Sequence, residues 1–414
     1  MKREPSLSLK DTGRIYLDHN ATTAPLQAIV ERVPTWLAAW GNPSSIHYSG
    51  RMPKNLLRDA RAHLAQFLNC HPLELIFTSG GSESNNLIIK GVAEAAMAQG
   101  RNEFITTTVE HPSVKESFKY IESRGAKVHR IGVNRRGELD LIAFENALSN
   151  RVALVSIMAA NNETGGLFAI RDLADKAHRV GAKFHTDAVQ TLGKMPVDIS
   201  ALGVDFASFA AHKIYGLKGA GLAYCRKGER LSSLISGGNQ ERGRRAGTEN
   251  ILAIAAFGKV AEICLSDREF SERYQYLRNL RDSFESRLIN EISGVQITGN
   301  GVERLSNTSS LVIEGVDGES LLMSLDLVGI AASTGAACSS GNPEPSPTLL
   351  AMGLTRKEAQ SSLRISLGWG TTEEEISEVL VRLKTIVTRL RQVQSASSSA
   401  SSSSSPRSTE DICT

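Results

Sequence analysis

The chain has 414 residues, enough for two or three domains and a large core. Hydrophobic residues make up 41% and charged residues 22%, the balance of a soluble globular protein. A net charge of +3 and an aromatic content of 5% leave no electrostatic or base-stacking case for a nucleic-acid or membrane partner. The first 14 residues lack the apolar core of a secretion signal. Five scattered cysteines make no disulfide framework. Together these predict a cytoplasmic, reducing location. The most apolar stretch, Ile251 to Leu265, is interrupted by Lys259 and Glu262 and is too short to span a bilayer.

In chain order, short apolar runs predict strands at Ile15–Asp18, Leu75–Ser79, Phe104–Thr108, Lys127–Ile131, Val152–Met158, Lys183–Asp187 and Phe206–Ala210. Helical patterns at Arg51–Leu68, Glu83–Gln99, Ser113–Ser123 and Ile170–Val180 lie between several of them. This alternation predicts an α/β fold, a parallel sheet with helices on both faces. Gly219 and Gly221 before the apolar run to Cys225 predict an antiparallel strand joining that sheet. From about Phe270 the composition shifts to a smaller α+β domain. It has a charged amphipathic helix at Glu272–Ile289, strands at Ser309–Ile313 and Leu363–Leu367, and a final helix at Glu373–Val393. Thr372 followed by three acids suits the start of that last helix. Ser395 to Ser405 is nearly pure serine and has nothing to bury, so a disordered tail is expected over 395–414.

No G-x-S-x-G elbow, CxxC, HExxH or Walker loop occurs, and no metal site is predicted. The informative segments lie at strand ends, where open α/β sheets place their sites. Thr78-Ser79-Gly80-Gly81-Ser82-Glu83 follows a strand and opens a helix, an arrangement that suits a phosphate. Structurally it is also an ordinary capped turn. Asp187 ends an apolar strand, where a carboxylate is costly unless paired. Lys213 follows another strand beside glycines, as a Schiff-base amine would, although most lysines are simply on the surface. A phosphate cradle, a strand-end Asp and a strand-end Lys form the set that pyridoxal phosphate requires.

With those segments in view, the sequence resembles the cysteine desulfurases, a class-V branch of the fold-type-I pyridoxal-phosphate enzymes. The resemblance rests on ordered blocks across residues 14–390. They include YLDHNATT (16–23), GNPSS (41–45), FTSGGSESNN (77–86), EHPSV (110–114), NNETG (161–165), HTDAVQ (185–190), HKIYGLKGAG (212–221), QERGRRAGTEN (240–250), STGAACSSGNPEPS (333–346) and SSLRISLG (361–368). It implies a large domain over 25–269 with a mainly parallel seven-stranded sheet. A small domain over 270–394 would carry the catalytic cysteine, and residues 1–24 would join it.

The resemblance also implies roles. Lys213 would carry the cofactor and Asp187 would pair with its ring nitrogen. His111 would stack on the ring and assist proton transfer. Asn162 and Gln190 would lie near the substrate and the ring oxygen, and Gly81, Ser82 and His212 would bind the phosphate. Thr248 would reach the phosphate of a second subunit, which implies a homodimer. Arg364, helped by Asn42, would grip the substrate carboxylate. Cys338, in a run of small residues, would receive the sulfur of L-cysteine as a persulfide. It would then pass that sulfur to an acceptor protein, an iron–sulfur scaffold or a thiolation enzyme. A selenocysteine lyase or a class-V aminotransferase on the same scaffold remain alternatives. One departure stands out: Ala210 occupies a position where the family usually has a serine that contacts the phosphate. Cys70, Cys225 and Cys264 are expected in the core.

Overall fold

The structure, a computed structural model, describes residues 13–267, 269–334 and 344–402. Twelve strands order the described chain: β1 Ile15–Tyr16, β2 Leu75–Thr78, β3 Glu103–Thr107, β4 Lys127–Ile131, β5 Val152–Ser156, β6 Lys183–Asp187, β7 Phe206–Ala210, β8 Gly221–Cys225, β9 Val295–Ile297, β10 Thr308–Ile313, β11 Ile330–Ala331 and β12 Ser362–Ser366. Seven of them form one sheet in the order β2-β8-β7-β6-β5-β3-β4. Strands β3 to β7 pair in parallel, whereas β8 runs antiparallel to both β2 and β7. Strands β5 and β7 are buried along their whole length. A parallel sheet covered on both faces requires such continuous burial, and their runs are apolar for that reason.

One face of the sheet is covered by the helices Gly81–Met97 and Pro112–Glu122, which pack with Phe104, Leu154 and Phe206. The other face carries the helices Tyr48–Leu68, Ile170–Arg179 and Ile251–Ser266. The stretch that looked most apolar in the sequence is this last helix. It is apolar nearly all round because it is buried, not because it spans a membrane. A Cβ at Gly258 would lie 2.3 Å from the Cα of Ala60, so the close approach of Ile251–Ser266 to Tyr48–Leu68 needs glycine there. Among the described residues no helix is long and apolar enough to cross a membrane.

A separate core gathers Leu277, Phe284, Leu311, Leu321, Ile365, Val379 and Leu383 around β10, which lies between β9 and β12. Ile15 and Leu17 belong to this core, and β1 pairs in parallel with β11. The N-terminal segment is thereby held by residues more than three hundred positions away. The last helix runs Glu373–Ser402 and opens as expected. The Thr372 amide donates to Glu375 Oε2 at 2.8 Å and the Glu375 amide to Thr372 Oγ1 at 3.2 Å. It continues past the expected end at Val393 into the serine run. Ser395 there returns its hydroxyl to the Gln392 carbonyl at 2.8 Å, a local bond that lets serine persist in a helix.

Candidate active site

The C-terminal ends of β3, β6 and β7, and the start of the helix after β2, converge on one pocket. Gly81, Ser82, Asn85, His111, Asn162, Asp187, Gln190, Ala210, His212 and Lys213 line it. Eight of these are residues the sequence reading assigned to the site. Asp187, the last residue of β6, is buried, and its carboxylate is doubly held. The Asn85 side chain donates to Oδ2 at 2.7 Å and the Val189 amide to Oδ1 at 3.0 Å. Lys213 closes a single 3-10 turn directly after β7 and donates to the carbonyls of Asn20 and Ala21 at 2.6 and 2.7 Å. His111 caps the helix Pro112–Glu122, accepting from the Ser113 amide at 3.1 Å.

The electrostatics favour neutral bases. Burial, reinforced by the nearby Arg364 cation, lowers the Lys213 amine to about 8. Burial lowers His111 as well, against the pull of Asp187, and drops His212 to about 4. A lysine that loses its proton this easily is a competent nucleophile and base near neutral pH. Beside the pocket, Glu110 is fully enclosed. Burial lifts its carboxyl to about 8, although the Met158 amide donates to it at 3.0 Å.

Behind Asn162, Gln190 and Lys213 lies a polar cluster drawn from distant parts of the chain; its members, Arg364 included, do not themselves line the pocket. Arg364 on β12 is buried, donating to Asp18 Oδ1 at 2.7 Å and to the Asn162 carbonyl at 3.1 Å. Asn20 donates to the Asn162 carbonyl at 3.1 Å and to Thr308 Oγ1 at 2.9 Å. Lys194, buried, donates to Asn20 Oδ1 and Gln190 Oε1. Sequence reasoning assigned no role to Asp18, Asn20, Asn85 or Lys194. Asn85 carried a signal that could have been read, since it sits four residues after Gly81 and so on the same helical face. Asp18 and Asn20 lie within the block at 16–23, but their partners are remote in sequence; Lys194 sits four residues after Gln190, which it bonds, while its other partner, Asn20, is remote.

Pyridoxal phosphate fits this donor set. The 17-residue helix Gly81–Met97 has no side-chain cap at its start, and uncapped helix N–H groups favour a phosphate. Gly81 must be small, since a Cβ there would lie 2.6 Å from Val189 Cγ2. Asn85 Oδ1 is buried in the wall with no hydrogen-bond partner among the described residues. The Ala210 methyl lines the pocket without a hydroxyl to offer. Asn42 and Thr248 do not line it; both are exposed on the surface. Cys338 lies outside the described residues. The described residues on either side of it are tied to the pocket. Ser333 exchanges two backbone hydrogen bonds with Arg364, at 2.6 and 3.2 Å, and Ser346 donates its hydroxyl to Glu163, the neighbour of Asn162.

Residues 15–379 match the family Aminotransferase class-V. A cysteine desulfurase of Gluconacetobacter diazotrophicus is 42% identical over 382 residues, covering 92% of this chain and 94% of that protein. Among solved structures, a NifS-like protein superposes with a TM-score of 0.84 at 36% identity, covering 91% of this chain and 99% of that one. A structure titled SspA in complex with cysteine gives 0.75 at 31% identity, with 85% and 98% covered.

Proposed function

The chain belongs to the aminotransferase class-V family, in its cysteine desulfurase branch, and from that premise we propose that the pocket binds pyridoxal phosphate and removes sulfur from L-cysteine. The observation that carries this reading is the meeting, in one pocket, of a lysine amine lowered to about 8, a doubly held buried carboxylate and an uncapped helix start.

Lys213 would hold the cofactor through its amine, Asp187 would keep a proton on the ring nitrogen, and Gly81, Ser82 and His212 would receive the phosphate. The cofactor, when bound, supplies an electron sink for negative charge developing at the substrate Cα. Arg364 offers the substrate carboxylate a guanidinium already oriented by Asp18 and Asn162. Its Nε is buried with no partner among the described residues and is the free donor for that carboxylate. Lys213 takes and returns the Cα proton, with neutral His111 beside it as a second proton carrier. The Cys338 thiolate forms an S–S bond to the substrate sulfur as the C–S bond breaks. The released electron pair goes to carbon, which gains a proton to become alanine, and Cys338 is left as a persulfide. An acceptor protein's thiol then takes the outer sulfur, in an iron–sulfur scaffold or a thiolation enzyme.

A homodimer completes the reading, with Thr248 of each subunit serving the other's phosphate. Its exposed position outside its own pocket supports this. So does the exposure of three large apolar side chains close in sequence, Trp40, Ile46 and Tyr48, at 79%, 97% and 80%. The deciding experiment is an absorbance spectrum of protein incubated with pyridoxal phosphate, then addition of L-cysteine and a reductant. A visible cofactor band with equimolar alanine and sulfide is expected. A band without either product sinks the desulfurase chemistry.

A further inference from the structure

Lys194 is a buried amine that the proposed chemistry does not use. It reaches two acceptors, Asn20 Oδ1 at 2.8 Å and Gln190 Oε1 at 2.5 Å. Burial and the neighbouring cations Lys213 and Arg364 push its pKa well below the usual lysine value. Two acceptors are what its N–H donors meet here. Asn20 cannot turn to meet it differently. Its amide nitrogen is already committed to Asn162 and Thr308, and its oxygen also accepts from Asn307 at 3.2 Å. Gln190 is the adjustable member. With its oxygen held by Lys194, its nitrogen donates to the Asn20 carbonyl at 3.1 Å. One N–H is left over, on a residue that lines the pocket. The Asn20 carbonyl also receives Lys213, so the lysine pair and the amide share one hydrogen-bond network.

We propose that Lys194 is a positioning residue: by holding the Gln190 oxygen, it turns the N–H end of that amide toward the cofactor's ring oxygen. The inference rests on the cofactor reading above. A glutamine free to turn would present its carbonyl to an oxygen anion and repel it, so the buried amine converts an ambiguous side chain into a fixed donor.

The test is reconstitution of the cofactor-free protein with pyridoxal phosphate, reading affinity and the position of the visible band. Lys194→Met is expected to weaken affinity about tenfold and to move the band. The same change in a Gln190→Leu background is expected to do neither, because the amide it acts through is gone. If Lys194→Met weakens binding equally in both backgrounds, Lys194 is only a structural group and the proposal falls. Gln190→Glu gives an independent reading should Lys194→Met not fold, since it replaces the pocket-facing N–H by oxygen. Wild-type affinity and band in that variant would overturn the proposal; weaker binding with a moved band supports it. Wild-type protein that shows no visible band would instead sink the cofactor reading itself.

Discussion

The candidate site has two walls of different origin, one lining the pocket and one behind it. The sheet-edge wall, with Gly81, Asp187, His212 and Lys213, is built by residues immediately after strands, and its turns are local. The second wall stands behind the lining residues Asn162, Gln190 and Lys213; its members Asp18, Asn20, Lys194, Thr308 and Arg364 are held by bonds between residues 174 to 346 positions apart. The first wall presents an uncapped helix start and a buried carboxylate, and its Lys213 is tied to the second through the Asn20 carbonyl. The second wall forms only when the N-terminal segment comes together with β10, β12 and the chain after β6, and under the proposed function it serves the substrate carboxylate. Substitutions on the two walls should therefore fail in different ways.

The largest effect is expected on the sheet-edge wall. Lys213→Ala should lower alanine formation about a thousandfold, within the range for removing a positioned base, and abolish the covalently held visible band. A variant that keeps the band would break the assignment of the first wall. On the second wall, Arg364→Lys should raise KM for L-cysteine about 10- to 100-fold, the cost of a lost charge-assisted hydrogen bond. The cofactor band should survive. Equal damage to cofactor affinity would show that the walls are not separable.

The third prediction concerns pH. Under the proposed function Lys213 would have to be neutral to bond the cofactor's aldehyde, and its pKa is lowered to about 8. The rate at which cofactor-free protein takes up pyridoxal phosphate should thus climb about tenfold per pH unit below 8 and level off above it. A midpoint at the ordinary lysine value would show that burial does not tune this amine. The sign for stability is the same. Between about 8 and the unfolded lysine value of about 10.4 the unfolded chain holds a proton that the folded chain does not. Stability of the cofactor-free protein gains from Lys213 as pH rises through that window.

The smallest effect lies behind the second wall. A Cβ at Gly368 would lie 2.1 Å from the ring of His19, which is half-buried and packs against the rings of Tyr16 and Tyr215. Gly368→Ala should cost about 1–3 kcal/mol by overpacking, measurable by denaturant unfolding, with KM moved more than cofactor affinity.

How much of this could be read beforehand differs between the walls in the same way. Strands β6 and β7 match their expected limits of Lys183–Asp187 and Phe206–Ala210 at both ends; β7 is the mostly apolar run that burial on both faces requires, whereas β6 carries His185, Thr186 and Asp187 into the interior. The antiparallel β8 was legible from its glycines. The helix Gly318–Leu327 and the strand β11 were not anticipated. Strand β11 has two residues and forms only because β1 arrives beside it. The final helix overran its expected end, since a serine run has no stop signal strong enough to end a helix already propagating from Glu373.

By itself, then, the sequence determined the alternating α/β order, the parallel sheet and the residues at its strand ends. Each of these depends on a periodicity or turn signal contained within a few residues. Only the tertiary structure decided that Asp18 would orient Arg364, that Asn85 would hold Asp187 and that Lys194 would sit between Asn20 and Gln190. Those are pairings of buried polar groups. Such groups take whichever partner the packed core brings within about 3 Å, and no local pattern in the chain names that partner in advance.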